Sequence, residues 1–149
     1  MKDEGFFVRL YLMSRTRLLY ITAALVALVA MLHGLAIAYS LYWHFSWFDM
    51  LSHLFGGAFV SLLAVWLWFF SGYLGTHPLP GRQALFWITV ISALAIGIGW
   101  EVFERALGHT WSPEGYWLDT CIDIIADTIG GIIVGILLAG AHRATDTTS

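Results

Sequence analysis

The chain has 149 residues, of which 59% are hydrophobic and only 11% are charged. A soluble domain carries roughly 25% charged residues, so this composition, with a mean hydropathy of +0.77, is typical of a membrane protein. The formal net charge of −3 and the lack of a basic cluster argue against a nucleic-acid partner, and the single cysteine, Cys121, excludes an internal disulfide.

Four apolar segments are each long enough for a helix to cross a bilayer, which needs about 20 residues. They cover residues 18–39, 48–74, 84–107 and 116–141. Two links that contain Gly and Pro, 75–81 and 108–115, interrupt the helical pattern, and the link at 40–47 is aromatic. Because short links make consecutive helices antiparallel neighbours, the sequence predicts an all-α fold, a four-helix transmembrane bundle with one membrane domain over residues 18–141.

The ends of the chain indicate its orientation. Residues 1–17 mix apolar and basic side chains, which fits either an amphipathic segment on the membrane surface or an extension of the first span. Residues 142–149 form a predicted tail. Six of the seven basic residues share one side of a four-span topology: Lys2, Arg9, Arg15, Arg17, Arg82 and Arg143. The positive-inside rule therefore predicts an N-in/C-in, multi-pass membrane protein, in contact with membrane lipids.

Acidic side chains gather at the outward ends of the last three spans. Seven polar residues recur there at three- or four-residue spacing: Asp49 and His53, Glu101 and Glu104, and Asp119, Asp123 and Asp127. Residues at that spacing share one helix face, and the bundle interior is the direction in which hydrocarbon tolerates them. Clustered carboxylates need cations or protons to neutralise them. The sequence therefore predicts a divalent-metal site formed by these seven residues, with Zn, Mn, Fe or Mg as candidate ions.

Three functions fit such a site. The first is a metal-dependent hydrolase or modifying enzyme for a lipid or a lipid-linked envelope precursor, in which Glu104 acts catalytically by moving a proton. The second is a pathway for protons or cations, and the third is a non-catalytic assembly or lipid-binding protein. Two residues also have plain structural interpretations, because Glu101 is four residues before Arg105 and Asp119 is near a helix start. The sequence leaves the substrate, the metal and the oligomeric state open.

The order of the motifs resembles a known family. The relevant residues are Asp49-x-x-x-His53 with Gly56-Gly57, then Trp100-Glu101-Val102-Phe103-Glu104, then Asp119-x-x-x-Asp123-x-x-x-Asp127-Thr128-Ile129-Gly130. This order is similar to that of the small VanZ-like and YjdF-like bacterial membrane proteins, over about residues 48–135. The resemblance implies a small multi-pass protein of a bacterial inner membrane and supplies no biochemical activity.

Overall fold

The computed structural model describes residues 15–45, 47–108, 112 and 115–140, and this part of the chain is helical without strands. Its helices are α1 Arg15–Ala38, α2 Leu41–His44, α3 Trp47–Val65, α4 Arg82–Ala106 and α5 Tyr116–Gly140. A π-helical turn, Trp66–Phe70, continues α3. The four long helices are apolar and long enough to cross a membrane, which confirms the predicted all-α bundle of four spans. The N-in/C-in orientation stays a prediction.

The helix bounds differ from the predicted spans mainly at the end of α3. The second span was predicted to reach residue 74, but the helix ends at Phe70, where the backbone N–H of Ser71 donates to the carbonyl of Trp66 at 2.8 Å. Gly72 follows with a φ of +76°, a left-handed conformation that stops the helix and suits glycine. The first span was predicted to start at residue 18, but α1 begins three residues earlier, at Arg15. The remainder of the predicted N-terminal segment, 1–14, and the predicted tail, 142–149, lie outside the described residues.

Helices α3, α4 and α5 pack against one another, and α1 packs mainly against α3. An apolar core fills the end of the bundle at which α1 and α4 begin, and its buried members are Leu18, Leu62, Val65, Trp66, Leu85, Val134 and Leu138. At this same end the indole N–H of Trp66 donates to the carbonyl of Arg15, and the Arg15 guanidinium donates to the carbonyl of Ser71, each at 3.0 Å. The opposite end, where α3 and α5 begin and α4 ends, carries the predicted site and is called the acidic end below.

Two glycines let α3 and α4 approach α5 closely at Asp127. A Cβ atom on Gly57 of α3 would overlap the backbone carbonyl of Asp127. A Cβ atom on Gly97 of α4 would lie 2.6 Å from Oδ2 of Asp127, which is inside van der Waals contact. Asp127 is therefore held closely between two helix backbones, with Gly57 against its main chain and Gly97 against its carboxylate.

Candidate metal site

His53 is the centre of the acidic end. It lies one turn after Asp49 on α3 and is buried against α5. Its Nδ1 atom lies 3.0 Å from Oδ2 of Asp127, a hydrogen bond that joins residues 74 positions apart. Its Nε2 atom faces the other way, 3.8 Å from Oδ1 of Asp49 and 4.0 Å from Oδ2 of Asp123. With Nδ1–H donating to Asp127, the Nε2 lone pair points to the two remaining carboxylates.

Within the described residues, Asp49, His53 and Asp123 form a group that could hold a metal ion. One ligand atom from each residue lies within 4.8 Å of the other two. In tetrahedral coordination, ligand atoms at about 2.0–2.2 Å from an ion lie roughly 3.3–3.6 Å apart, so the observed separations of up to 4.8 Å require a small inward movement of the side chains. Two carboxylate oxygens and one imidazole nitrogen form a set that suits Zn, Mn or Fe and leaves coordination positions for water or substrate.

The group is open on one side. The His53 and Asp123 side chains are only 9% and 4% exposed, whereas the Asp49 side chain is 38% exposed. Asp49 lies in the first turn of α3, so the open side faces the end of the bundle and not its middle. A small molecule could therefore reach the group past Asp49, while the bundle encloses His53 and Asp123.

Glu101 lies beside this group on α4. Its Oε2 atom accepts a hydrogen bond of 2.8 Å from the hydroxyl of Thr120 on α5, and its Oε1 atom is buried without a hydrogen-bond partner in the described structure. The alternative ion pair with Arg105 is absent among the described residues, because the Arg105 guanidinium instead lies over the rings of Tyr116 and Trp117, at 4.9 and 5.1 Å. Glu101 is thus directed to the acidic interior.

The other predicted ligands surround the three-residue group. Glu104 is half-buried, is hydrogen-bonded to Trp100, and lies within electrostatic range of Glu101 and Asp49. Asp119 is half-buried in the first turn of α5, a position that also suits the capping role considered for it. Asp127 contacts His53 through Nδ1, which is the position of an outer partner that orients a ligand. The structure thus brings ligand atoms of three of the seven predicted residues within 4.8 Å of one another and places the other four around them.

Two further residues of the site had no clear signal in the sequence. Thr120 lies between Asp119 and Asp123 in the sequence and does not share the four-residue spacing of the aspartates. Tyr42 of α2 lies in the aromatic link, and its hydroxyl is 2.8 Å from Nδ1 of His33 and hydrogen-bonded to Ser52. Burial raises the pKa of the Tyr42 phenol above its usual range, and the carboxylates of Asp49 and Glu104 act in the same direction against the bond to Ser52. Tyr42 is therefore a neutral donor at the edge of the site.

Fold and site together define a small multi-pass membrane protein with a buried carboxylate–histidine cluster at one end of its helices. A family model described as predicted membrane protein, DUF2238, matches residues 6–144, and the chain belongs to this family. Comparisons with curated proteins and with solved structures gave no match. The narrower resemblance to VanZ-like and YjdF-like proteins stays a prediction.

Proposed function

We propose that the acidic end binds a divalent cation through Asp49, His53 and Asp123. The observation that supports this proposal is the orientation of the His53 ring, whose Nδ1 is occupied by Asp127 while Nε2 faces two carboxylates. Metal-ligating histidines usually donate their second ring N–H to a carboxylate, because this bond fixes the tautomer and raises the basicity of the ligand nitrogen. A histidine kept only for helix packing needs no pair of acids at its other ring nitrogen.

We further propose that this protein is a hydrolase or modifying enzyme for a lipid or a lipid-linked envelope precursor, and that it uses the bound cation in catalysis. An ion in this position would supply a Lewis acid and lower the pKa of a water molecule towards neutrality. In hydrolysis the water oxygen would form a bond to the acyl carbon or phosphorus while the bond from that atom to the alcohol oxygen breaks. One proton of the water would pass to a carboxylate, which returns a proton to the leaving alcohol. Glu104 is our candidate for that carboxylate, since it is half-buried and close to Glu101 and Asp49.

A lipid substrate is supported by the surroundings of the opening. Large aromatic side chains are exposed at the acidic end, among them Trp47, Trp100, Phe103 and Trp117. Trp and other aromatic residues favour the headgroup layer of a membrane, so the opening at Asp49 would lie at the depth of lipid headgroups. In a bacterial inner membrane with the predicted orientation, this depth is the outer leaflet, where envelope precursors are handled.

A proton or cation pathway has less support. Beyond Asp127, towards the opposite end, the described segments 58–70, 83–96 and 128–140 contain no acidic, basic or histidine side chain. The buried hydroxyls in that region donate to backbone carbonyls, Ser61 to Thr89 and Thr89 to Phe86. His33 of α1 does not continue the path either, because it is hydrogen-bonded to Tyr42 at the acidic end.

Metal content is the direct test. Protein purified in mild detergent without chelator should carry a stoichiometric divalent metal by elemental analysis. Asp123→Asn and His53→Ala should fold and insert but lose that metal, because each removes one of three ligands. His44→Ala is the matched control, since His44 is exposed and bonded to the carbonyl of Ser40. Wild-type protein without metal would contradict the proposal.

The variants also separate ligation from packing. If His53→Ala keeps its full metal load while its melting temperature falls, His53 is a structural residue that has left a buried partner unpaired, at a cost of about 1–3 kcal/mol. A second measurement addresses catalysis: hydrolysis or modification of membrane lipids and lipid-linked precursors with and without metal. Bound metal without turnover of any such substrate would favour the non-catalytic assembly role.

A further inference from the structure

The Glu101 carboxylate has one satisfied and one unsatisfied oxygen. The residue is only 6% exposed, and Thr120 holds Oε2 while Oε1 has no partner among the described residues. Buried polar atoms are almost always hydrogen-bonded or bound to an ion, since desolvation without a partner is costly. The hydroxyl of Thr120 fixes the direction of the carboxylate, so Oε1 is presented in one defined place.

That place is within the acidic cluster. Glu101 is within electrostatic range of His53, Asp119 and Asp49, and Asp123 is within range of Glu101 in turn. Six carboxylates occupy this end of the bundle, and one divalent ion at His53 neutralises only two of their negative charges. Carboxylates that remain ionised at such short range need further positive charge, because the low dielectric does not screen them.

A proton on Glu101 would satisfy the charge but not the hydrogen bonding. Protonated Oε1 becomes an O–H donor, and the described residues offer it no acceptor. A cation satisfies both requirements, because it neutralises the carboxylate and occupies the unpartnered lone pairs.

We propose that Oε1 of Glu101 binds a second divalent cation beside the first, so that the acidic end is a two-cation centre. This inference rests on the proposed metal site and goes beyond it in stoichiometry and in the role of Glu101. Two-metal sites commonly share carboxylates, and Asp49 and Asp123 are the carboxylate ligands of the first ion that would be available for this, since both are within electrostatic range of Glu101. Thr120 is then a positioning residue that acts through Glu101.

The test counts bound ions in the whole protein. Chelator-stripped protein in lipid nanodiscs is titrated with Mn²⁺, and free Mn²⁺ is measured by its electron paramagnetic resonance signal. Wild-type protein should bind two ions, with a spin-coupled spectrum, and Glu101→Gln should bind one with the spectrum of an isolated ion. Thr120→Val should keep the first ion and bind the second about 10–100-fold more weakly, the usual effect of losing an outer partner. Thr128→Val is the matched control, because its hydroxyl donates within α5 to Ile124.

The outcomes distinguish this inference from the proposed function. One ion in wild-type protein would overturn the second site and leave the first intact. No ion in wild-type protein would overturn both. Two ions in Glu101→Gln would overturn the role of Glu101. If Glu101→Gln does not fold, Thr120→Val decides, and an unchanged affinity for the second ion in that variant would refute the inference.

Discussion

Replacing Asp127 with asparagine tests how the site is oriented. Asp127 accepts the Nδ1–H of His53 at 3.0 Å and lies between the backbones of α3 and α4 at Gly57 and Gly97. Asparagine has nearly the same volume, so it fits this confined place and can still accept a hydrogen bond through its amide oxygen. The change therefore removes the negative charge behind the imidazole and little else.

The expected loss is in metal affinity. An outer carboxylate that orients a ligating histidine typically contributes 10–100-fold to affinity, which corresponds to about 1.4–2.8 kcal/mol. The bond between His53 and Asp127 is of ordinary length and almost wholly buried, so solvent screens it little and we expect a value within this range. The metal-free protein should lose much less stability, because the hydrogen bond persists in neutral form.

Competition with a metallochromic indicator measures the affinity, and thermal unfolding of chelated protein measures the stability of the metal-free form. Thr128→Val, at the next position of α5, is the control and should change neither the affinity nor the position of His53. An Asp127→Asn protein with wild-type metal affinity would refute the argument that Asp127 orients the ring. A fall in metal-free melting temperature with unchanged affinity would assign Asp127 to folding alone.

Two other predictions concern packing and topology. Gly97→Ala places a Cβ atom 2.6 Å from Oδ2 of Asp127 and should weaken metal binding by displacing that carboxylate from His53. The control is Gly99→Ala, whose Cβ atom meets nothing within 4 Å and which should bind metal as the wild type does. Equal metal affinities of the two variants would contradict the close approach of α4 to Asp127. A reporter fused after Arg143 should be active only if it is a cytoplasmic reporter, because the basic residues predict both termini inside. Activity of a periplasmic reporter there would invert the topology and place the acidic end at the cytoplasmic face.

The helical period made the four spans and the shared faces of the acids predictable. Asp49 and His53 converge because they are four residues apart on one helix, which the sequence states directly. The hydrogen bond between His53 and Asp127 joins α3 to α5. It therefore depends on the rotation of α5 about its axis, which a single sequence does not specify. The same applies to Thr120, whose role appears only once α4 lies beside it.

Tyr42 and the end of α3 were unpredictable for different reasons. The aromatic link containing Tyr42 suggested membrane anchors, and the short helix α2 that directs its hydroxyl to His33 is too brief to show a period. The π-helical turn breaks the regular spacing of α3, and Trp66 within it donates to the carbonyl of Arg15, a tertiary contact that hydropathy does not record.

The confinement of Asp127 has a consequence for how the protein is made. Asp127 lies about 17 Å into α5 at 1.5 Å per residue, so a newly synthesised α5 brings an acid deep into hydrocarbon. A central aspartate costs about 2.5–3.5 kcal/mol on insertion, and α5 carries two more near its start. Since α3 and α4 precede α5 in the chain, we expect His53 and the Gly57 and Gly97 backbones to reach the bilayer before α5 is synthesised. We expect α5 to enter the membrane by docking on these two helices during translation, with His53 as the first partner of its acid.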